Sequence, residues 1–118
     1  MTASPFTDAE YQQLAAAALA QIESRVDRWL DEDVVDIDSH RTGGLLELAL
    51  PNGSKLIINT QPPLHELWLA AKAGGYHFRL DATGRWLDTK DGVEFFQRLS
   101  EQASAQTGLP LVFTPPAA

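Results

Sequence analysis

Tyr11, Ala15, Ala18, Ile22, Val26 and Trp29 recur at spacings of three and four, through a stretch free of proline and glycine. That spacing draws a single apolar stripe along one side of a helix about six turns long. Its start is marked as well. Thr7 and Glu10 have the separation of a capping box, and Phe6 and Tyr11 sit where a hydrophobic staple clamps a helix N-terminus. A stripe of this length cannot remain in water, so the remainder of the chain has to supply the surface that covers it.

The segments that follow have strand character. Val34 to Asp38 reads V-V-D-I-D, and Gly43-Gly44 breaks the chain. Leu46, Leu48 and Leu50 then alternate with Leu45, Glu47 and Ala49. Pro51-Asn52-Gly53 is a hairpin turn, because Asn-Gly tolerates the positive φ angles of tight turns, and Leu56 to Asn59 returns antiparallel. Tyr76 to Leu80 and Arg85 to Asp88 are two further strands around the turn Asp81 to Gly84. Asp91 caps a last helix with Glu94 at the box position. Phe95, Phe96, Leu99 and Ala103 lie on its inner side, and Gly108 and Pro110 end it. The tail from Thr114 to Ala118 reads as loose.

One stretch admits two readings. Pro63 ahead, Gly74-Gly75 behind and Leu64, Leu67, Trp68 and Ala71 between them fit a short helix, which local signals favour slightly. At period two, His65, Leu67 and Leu69 face one way, and Glu66, Trp68 and Ala70 the other. Either way the order of elements predicts an α+β fold: a two-layer α-β sandwich, with N- and C-terminal helices on one face of an antiparallel sheet. A chain of 118 residues is one domain's worth. We expect a helix over about 7–30, a sheet over about 34–88 and a helix over about 91–107, with no repeat and no dividing linker.

Charge narrows the function. The net charge of −7 argues against nucleic acid, whose phosphates require cationic residues, and favours cations or basic surfaces as partners. There is no cysteine, which excludes disulfides, thiolate metal sites and cysteine nucleophiles and fits a reducing compartment. The longest apolar run, Leu14 to Ala20, is too short for a membrane span, and no Lys or Arg precedes Arg25. A cytoplasmic location is expected. The charge is also uneven: residues 23–38 hold seven acids against two arginines, five of the seven net negative charges.

Glu23, Asp27 and Asp31 are spaced by four and form a row beside the apolar stripe. Each like-charge pair at that spacing costs about 0.2–0.5 kcal/mol, and acids at a helix C-terminus oppose its dipole. Folding alone would place lysines there. Asp36 and Asp38, two apart on a strand, would continue the ridge onto the sheet edge. Carboxylates without His or Cys are hard oxygen ligands suited to Fe3+, Fe2+, Mn2+, Ca2+ or Mg2+. The spacing is not that of an EF-hand, since counting from Asp31 puts Asp36 where glycine belongs, and no Glu-x-x-His of a di-iron bundle occurs. No nucleophile–base pair or phosphate loop is present, so the chain reads as a non-enzyme. His40, His65 and His77 are too far apart in sequence to suggest a metal site and are expected to be ordinary surface histidines, His40 being the exception to watch.

The segment NGSKLIINTQPPLHELWLAAKAGGYHF, from Asn52 to Phe78, resembles the signature region of the frataxin family, in particular its bacterial members. The likeness runs on through RWLD and the last helix, and back through GGLLEL to the acidic helix. It implies that the W-L-A segment is a strand with Trp68 exposed on the open sheet face. It also implies a part in iron–sulfur cluster assembly, with ferrous or ferric iron held weakly on an acidic ridge, other divalent cations also being candidates. Docking onto a cysteine desulfurase and its scaffold protein follows, to regulate the desulfurase or deliver iron. Glu23, Asp27, Asp31, Asp33, Asp36 and Asp38 match acidic positions of the family ridge, with Glu32 placed approximately. Ser24 and Arg28 depart from it. Asn59, Gln61 and Trp68 match the partner-binding surface, and His77 joins them by parity. A monomer is expected, with iron-driven oligomers open to the family. The alternative is an acidic interaction module that docks on the desulfurase with metal incidental.

Overall fold

The computed structural model describes residues 5–117. A 24-residue helix, α1 (Asp8–Asp31), is followed by six strands and a second helix. The strands are β1 (Asp38–Thr42), β2 (Leu45–Ala49), β3 (Lys55–Gln61), β4 (Glu66–Ala71), β5 (Gly74–Leu80) and β6 (Trp86–Asp88), and α2 spans Phe95–Thr107. The sheet is antiparallel throughout, its strands in chain order β1 to β6. On one face Leu46, Leu48, Leu56, Ile58, Leu67, Leu69, Phe78, Leu80 and Trp86 form one buried cluster with the stripes of α1 and α2. This is the expected α+β sandwich, with both terminal helices packed on the sheet.

The Thr7–Glu10 capping box is made in full, each side chain accepting the other's backbone N–H. Deeper in α1, the buried Tyr11 hydroxyl donates to the Glu66 carbonyl at 2.7 Å and accepts the Gln61 N–H at 3.0 Å. One phenol thus ties α1 to the adjoining ends of β3 and β4. At the hairpin between β2 and β3, Gly53 takes φ +87° while the Asn52 amide donates to the Gln106 carbonyl at 2.6 Å, fastening the turn to α2.

Three expectations are corrected, and one open reading is settled. The sheet begins at Asp38, not Val34; Val34 to Ile37 is an extended connection in which Val35 and Ile37 turn inward. The stretch after Gln61, open between helix and strand on local signals, is the strand that the family resemblance implied: a single 3-10 turn, Pro62–Leu64, is ended by His65 in the left-handed region at φ +51°, and β4 follows. A strand there pairs with β3 and β5 on both edges and buries Leu67 and Leu69, whereas a helix of that length would leave both neighbours unpaired. The N-cap of α2 is Glu94 rather than Asp91: a bridge to Leu87 holds Glu94 extended, and its carboxylate accepts the N–H groups of Phe96 and Gln97. The tail is not loose at its start. Leu111 and Phe113 are buried, the Phe113 ring meets Trp29 edge-on at 4.8 Å, and Thr114 accepts hydrogen bonds from Gln21 and Arg25. Met1–Ser4 and Ala118 lie outside the described residues.

Burial pushes the Tyr11 phenol up to about 12, with the Glu66 charge adding to the rise and the Gln61 N–H opposing it. The neutral phenol is therefore the form the fold favours, against an unfolded value of about 10. Its contribution is fully present below pH 10 and is lost as pH rises toward 12, amounting to about 2–3 kcal/mol at the end. Denaturant titrations should show this decline above pH 10. Tyr11→Phe should flatten it, while lowering stability at pH 7 by about 1–3 kcal/mol through the two lost hydrogen bonds.

Candidate functional site: an acidic ridge and an open sheet face

α1, the connection after it and the edge strand β1 carry the acids. Asp27 and Asp31 are exposed, four residues apart on α1. Glu23, below them, is half-buried and paired with Arg41 of β1 at 2.8 Å, so it braces helix against strand rather than standing free. Glu32 is the C-cap of α1, its N–H bonded to the Arg28 carbonyl at 2.9 Å. Asp33 follows at φ +55°, a conformation usually left to glycine. Its N–H reaches the Leu30 carbonyl at 3.2 Å and that of Val34 reaches Trp29 at 2.8 Å, the paired bonds of a Schellman motif.

Asp36 points outward between buried Val35 and Ile37, and Asp38 opens β1 opposite Ala49. Asp36 precedes the strand, yet alternation still puts both acids on the solvent side. Among the described residues none of Asp27, Asp31, Glu32, Asp33, Asp36 and Asp38 forms an ion pair. Among the same residues no three His, Cys, Asp or Glu converge as a metal cluster. The ridge is a row of hard oxygen donors open to water, able to attract cations but not to enclose one.

The second surface is the side of the sheet turned away from both helices. Register alone assembles it: Asn59 pairs with Trp68 and Trp68 with His77, while Gln61 pairs with Glu66 and Glu66 with Arg79. The Trp68 and His77 rings stack at 4.1 Å and 10°. The Trp68 indole N–H donates to Glu66 Oε1 at 2.8 Å, and Arg79 donates to Glu66 Oε2 at 2.9 Å. Trp68 is consequently half-buried rather than exposed, its edge and one ring face being covered by its own neighbours. Asn59 and Gln61 are half-buried beside it and His77 is exposed. From β1, where the ridge ends, to β4 the sheet spans three strand spacings, about 14 Å.

His40 is exposed opposite Glu47, as expected of a surface histidine. His65 is not: it is 9% exposed, stacked on Tyr11 at 4.8 Å, with Nε2 2.8 Å from Asp8. The left-handed turn at this residue folds the ring back over α1. The sequence reading missed Arg41, Glu66 and Arg79. For Glu66 the signal was present, since period-two parity places it on the Trp68 side of β4.

The molecule is thus a small α-β sandwich with an acidic row on its first helix and edge strand that forms no ion pairs among the described residues beyond Glu23–Arg41, and an aromatic-polar patch on its bare sheet. The model of the frataxin-like domain matches residues 4–109, and the chain belongs to the frataxin family. It is 54% identical over 110 residues to the iron-sulfur cluster assembly protein CyaY of Polaromonas sp., covering 93% of this chain and 94% of that one. To the protein of the same name from Variovorax paradoxus it is 53% identical over 107 residues, 91% of this chain and 96% of the other. Among solved structures, frataxin from Psychromonas ingrahamii superimposes with a TM-score of 0.74 at 36% identity, over 92% of this chain and 99% of that one. A trimeric yeast frataxin complexed with ferrous iron superimposes at 0.54 with 25% identity, over 75% and 86%.

The ridge should behave as a stability cost. Asp27→Asn and Asp31→Asn should each raise the denaturation midpoint, by about 0.2–0.5 kcal/mol per relieved pair, and added salt should raise that of the parent chain. Asp33→Gly should add about 1 kcal/mol by removing the left-handed penalty. Glu23→Gln should instead lower stability by about 0.2–1 kcal/mol, because its pair with Arg41 is lost.

Proposed function

We propose that this protein serves iron–sulfur cluster assembly, carrying ferrous or ferric iron on the acidic ridge and regulating, or supplying iron to, a cysteine desulfurase–scaffold complex. Iron is cargo here, and the protein acts as an assembly factor of the cytoplasm rather than as an enzyme. The observation that carries this reading is the row of acids without ion-pair partners from Asp27 to Asp38, kept where repulsion and the helix dipole both oppose it. Hard oxygen donors suit ferric iron well and ferrous iron adequately, and an open row implies weak binding of several ions. The names of the relatives favour the same role: CyaY proteins are iron-sulfur cluster assembly proteins, and a yeast frataxin has been crystallised with ferrous iron.

Within this reading Glu23 contributes less than its neighbours, being paired with Arg41. Asp27, Asp31, Glu32, Asp33, Asp36 and Asp38 supply the donors, and the free protein is a monomer that iron can draw into oligomers. Asn59, Gln61, Trp68 and His77 form the docking face for the partner complex. A second reading rests on the lack of any three converging ligands among the described residues: the ridge is then a docking surface for a basic patch, with metal incidental.

Anaerobic titration of 15N-labelled protein with ferrous iron, with Mg2+ as control, separates the two. Selective broadening of amides over residues 23–38 supports iron carriage, whereas no selective response, or one shared equally with Mg2+, supports the interaction module. For the docking face, Trp68→Ala should weaken binding to a purified desulfurase–scaffold complex by about tenfold or more, as expected of an aromatic anchor. Its melting temperature should change little, and a large drop with unchanged binding would show Trp68 to be a packing residue.

A further inference from the structure

Among the described residues Glu66 is the one carboxylate buried on the side of the sheet that the helices do not cover, at 3% exposure. Burying a carboxylate is costly unless its oxygens are matched. Both are matched here, by groups of the open face: Trp68 Nε1 on Oε1 at 2.8 Å and Arg79 on Oε2 at 2.9 Å. The Glu66 side chain is not part of the apolar core between sheet and helices. Leu67 and Leu69 bury β4 in the core, and Tyr11 engages the backbone carbonyl of Glu66, not its side chain. The carboxylate holds the indole on one oxygen and the Arg79 guanidinium on the other.

We propose that Glu66 is a positioning residue that sets Trp68 in its docking rotamer before any partner arrives, an inference that rests on the reading of this face as the docking surface. Glu66 and Trp68 are two apart on β4, so the hydrogen bond runs back along the strand and fixes the edge of the ring. His77, across the strand pair, fixes one of its faces at 4.1 Å. A ring held at both places loses little rotamer freedom on binding, which lowers the cost of association. The bond also sets the chemistry of the partner. With the N–H occupied, Trp68 offers its open face and outer edge, which suit an aliphatic or cationic side chain and not a hydrogen-bond acceptor.

The test uses the full-length protein, with the purified desulfurase–scaffold complex as probe. Glu66→Leu removes both hydrogen bonds, and Glu66→Gln retains an oxygen for the indole. Their affinities are measured alone and in the Trp68→Ala background, and the Trp68 indole 15N–1H resonance reports the bond directly. Glu66→Leu should move that resonance toward the free-indole position, raise its mobility and weaken binding about two- to tenfold. Glu66→Gln should restore most of both effects. In the Trp68→Ala background Glu66→Leu should add nothing. The inference is overturned if Glu66→Leu weakens binding as much without Trp68 as with it, if the indole resonance is unmoved, or if affinity is unchanged while Trp68→Ala still weakens it. Unchanged binding by Trp68→Ala itself would instead remove the docking reading beneath.

Discussion

The seating of β4 between β3 and β5 is the constraint on which both faces of the molecule depend. Its backbone groups are paired on both edges, and its side chains alternate between a core that holds Leu67 and Leu69 and an open face that holds Glu66 and Trp68. A slip of one residue would exchange those sets, exposing two leucines and burying a carboxylate among the helices. Such a slip is blocked at the start of the strand. His65 in the left-handed region ends the preceding turn, and the Tyr11 hydroxyl clasps Gln61 N–H and Glu66 C=O, one on each side of the connection. The register of the sheet is in this way held by a residue of the first helix.

That helix has two obligations in conflict. Its inner stripe, from Tyr11 to Trp29, contributes seven buried residues to the core, while its outer side near the C-terminus bears acids that repel one another. Core burial at about 25 cal/mol per Å2 outweighs repulsions of a few tenths of a kcal/mol, so the fold tolerates the ridge without being helped by it. The chain limits the damage locally. Glu23 takes Arg41 as a partner, and the Schellman bonds around Asp33 secure the helix end despite the wrong sign of charge beside it.

How far the sequence could be read follows from the range of the forces. The capping box, the apolar stripe and the Asn-Gly hairpin depend on residues within a few positions of one another, and all were legible. The first strand was placed too early because V-V-D-I-D alternates like a strand while having no partner to pair with until Asp38. The W-L-A segment has helical propensity, and only two neighbouring strands make it extended, which local signals cannot contain. Asp91 has the composition of a cap, but the bridge between Leu87 and Glu94 moves the helix start past it. At the candidate site the acids were visible as a charge imbalance and Trp68 through resemblance. The Glu23–Arg41 pair, separated by 18 positions, and the Glu66–Arg79 pair, separated by 13, belong to tertiary structure.

In the proposed role the two surfaces would act on a partner in different ways. Exposed acids within about a Debye length of one another sum into a field that reaches into solution, so the ridge bears on encounter rate and is weakened by salt. Trp68 has no field to project. In a docked complex it would act at contact, where buried aromatic area slows dissociation. A partner engaging both must be basic where it meets β1 and the end of α1, and must offer an aliphatic or cationic group where it meets β4. Because the two patches lie about 14 Å apart on one sheet, a partner seated on one would be constrained in its approach to the other. Ions bound on the ridge would reduce its charge, slowing encounter while leaving the Trp68 contact intact. In the proposed role, iron load is thereby read out as association rate, with no conformational change required.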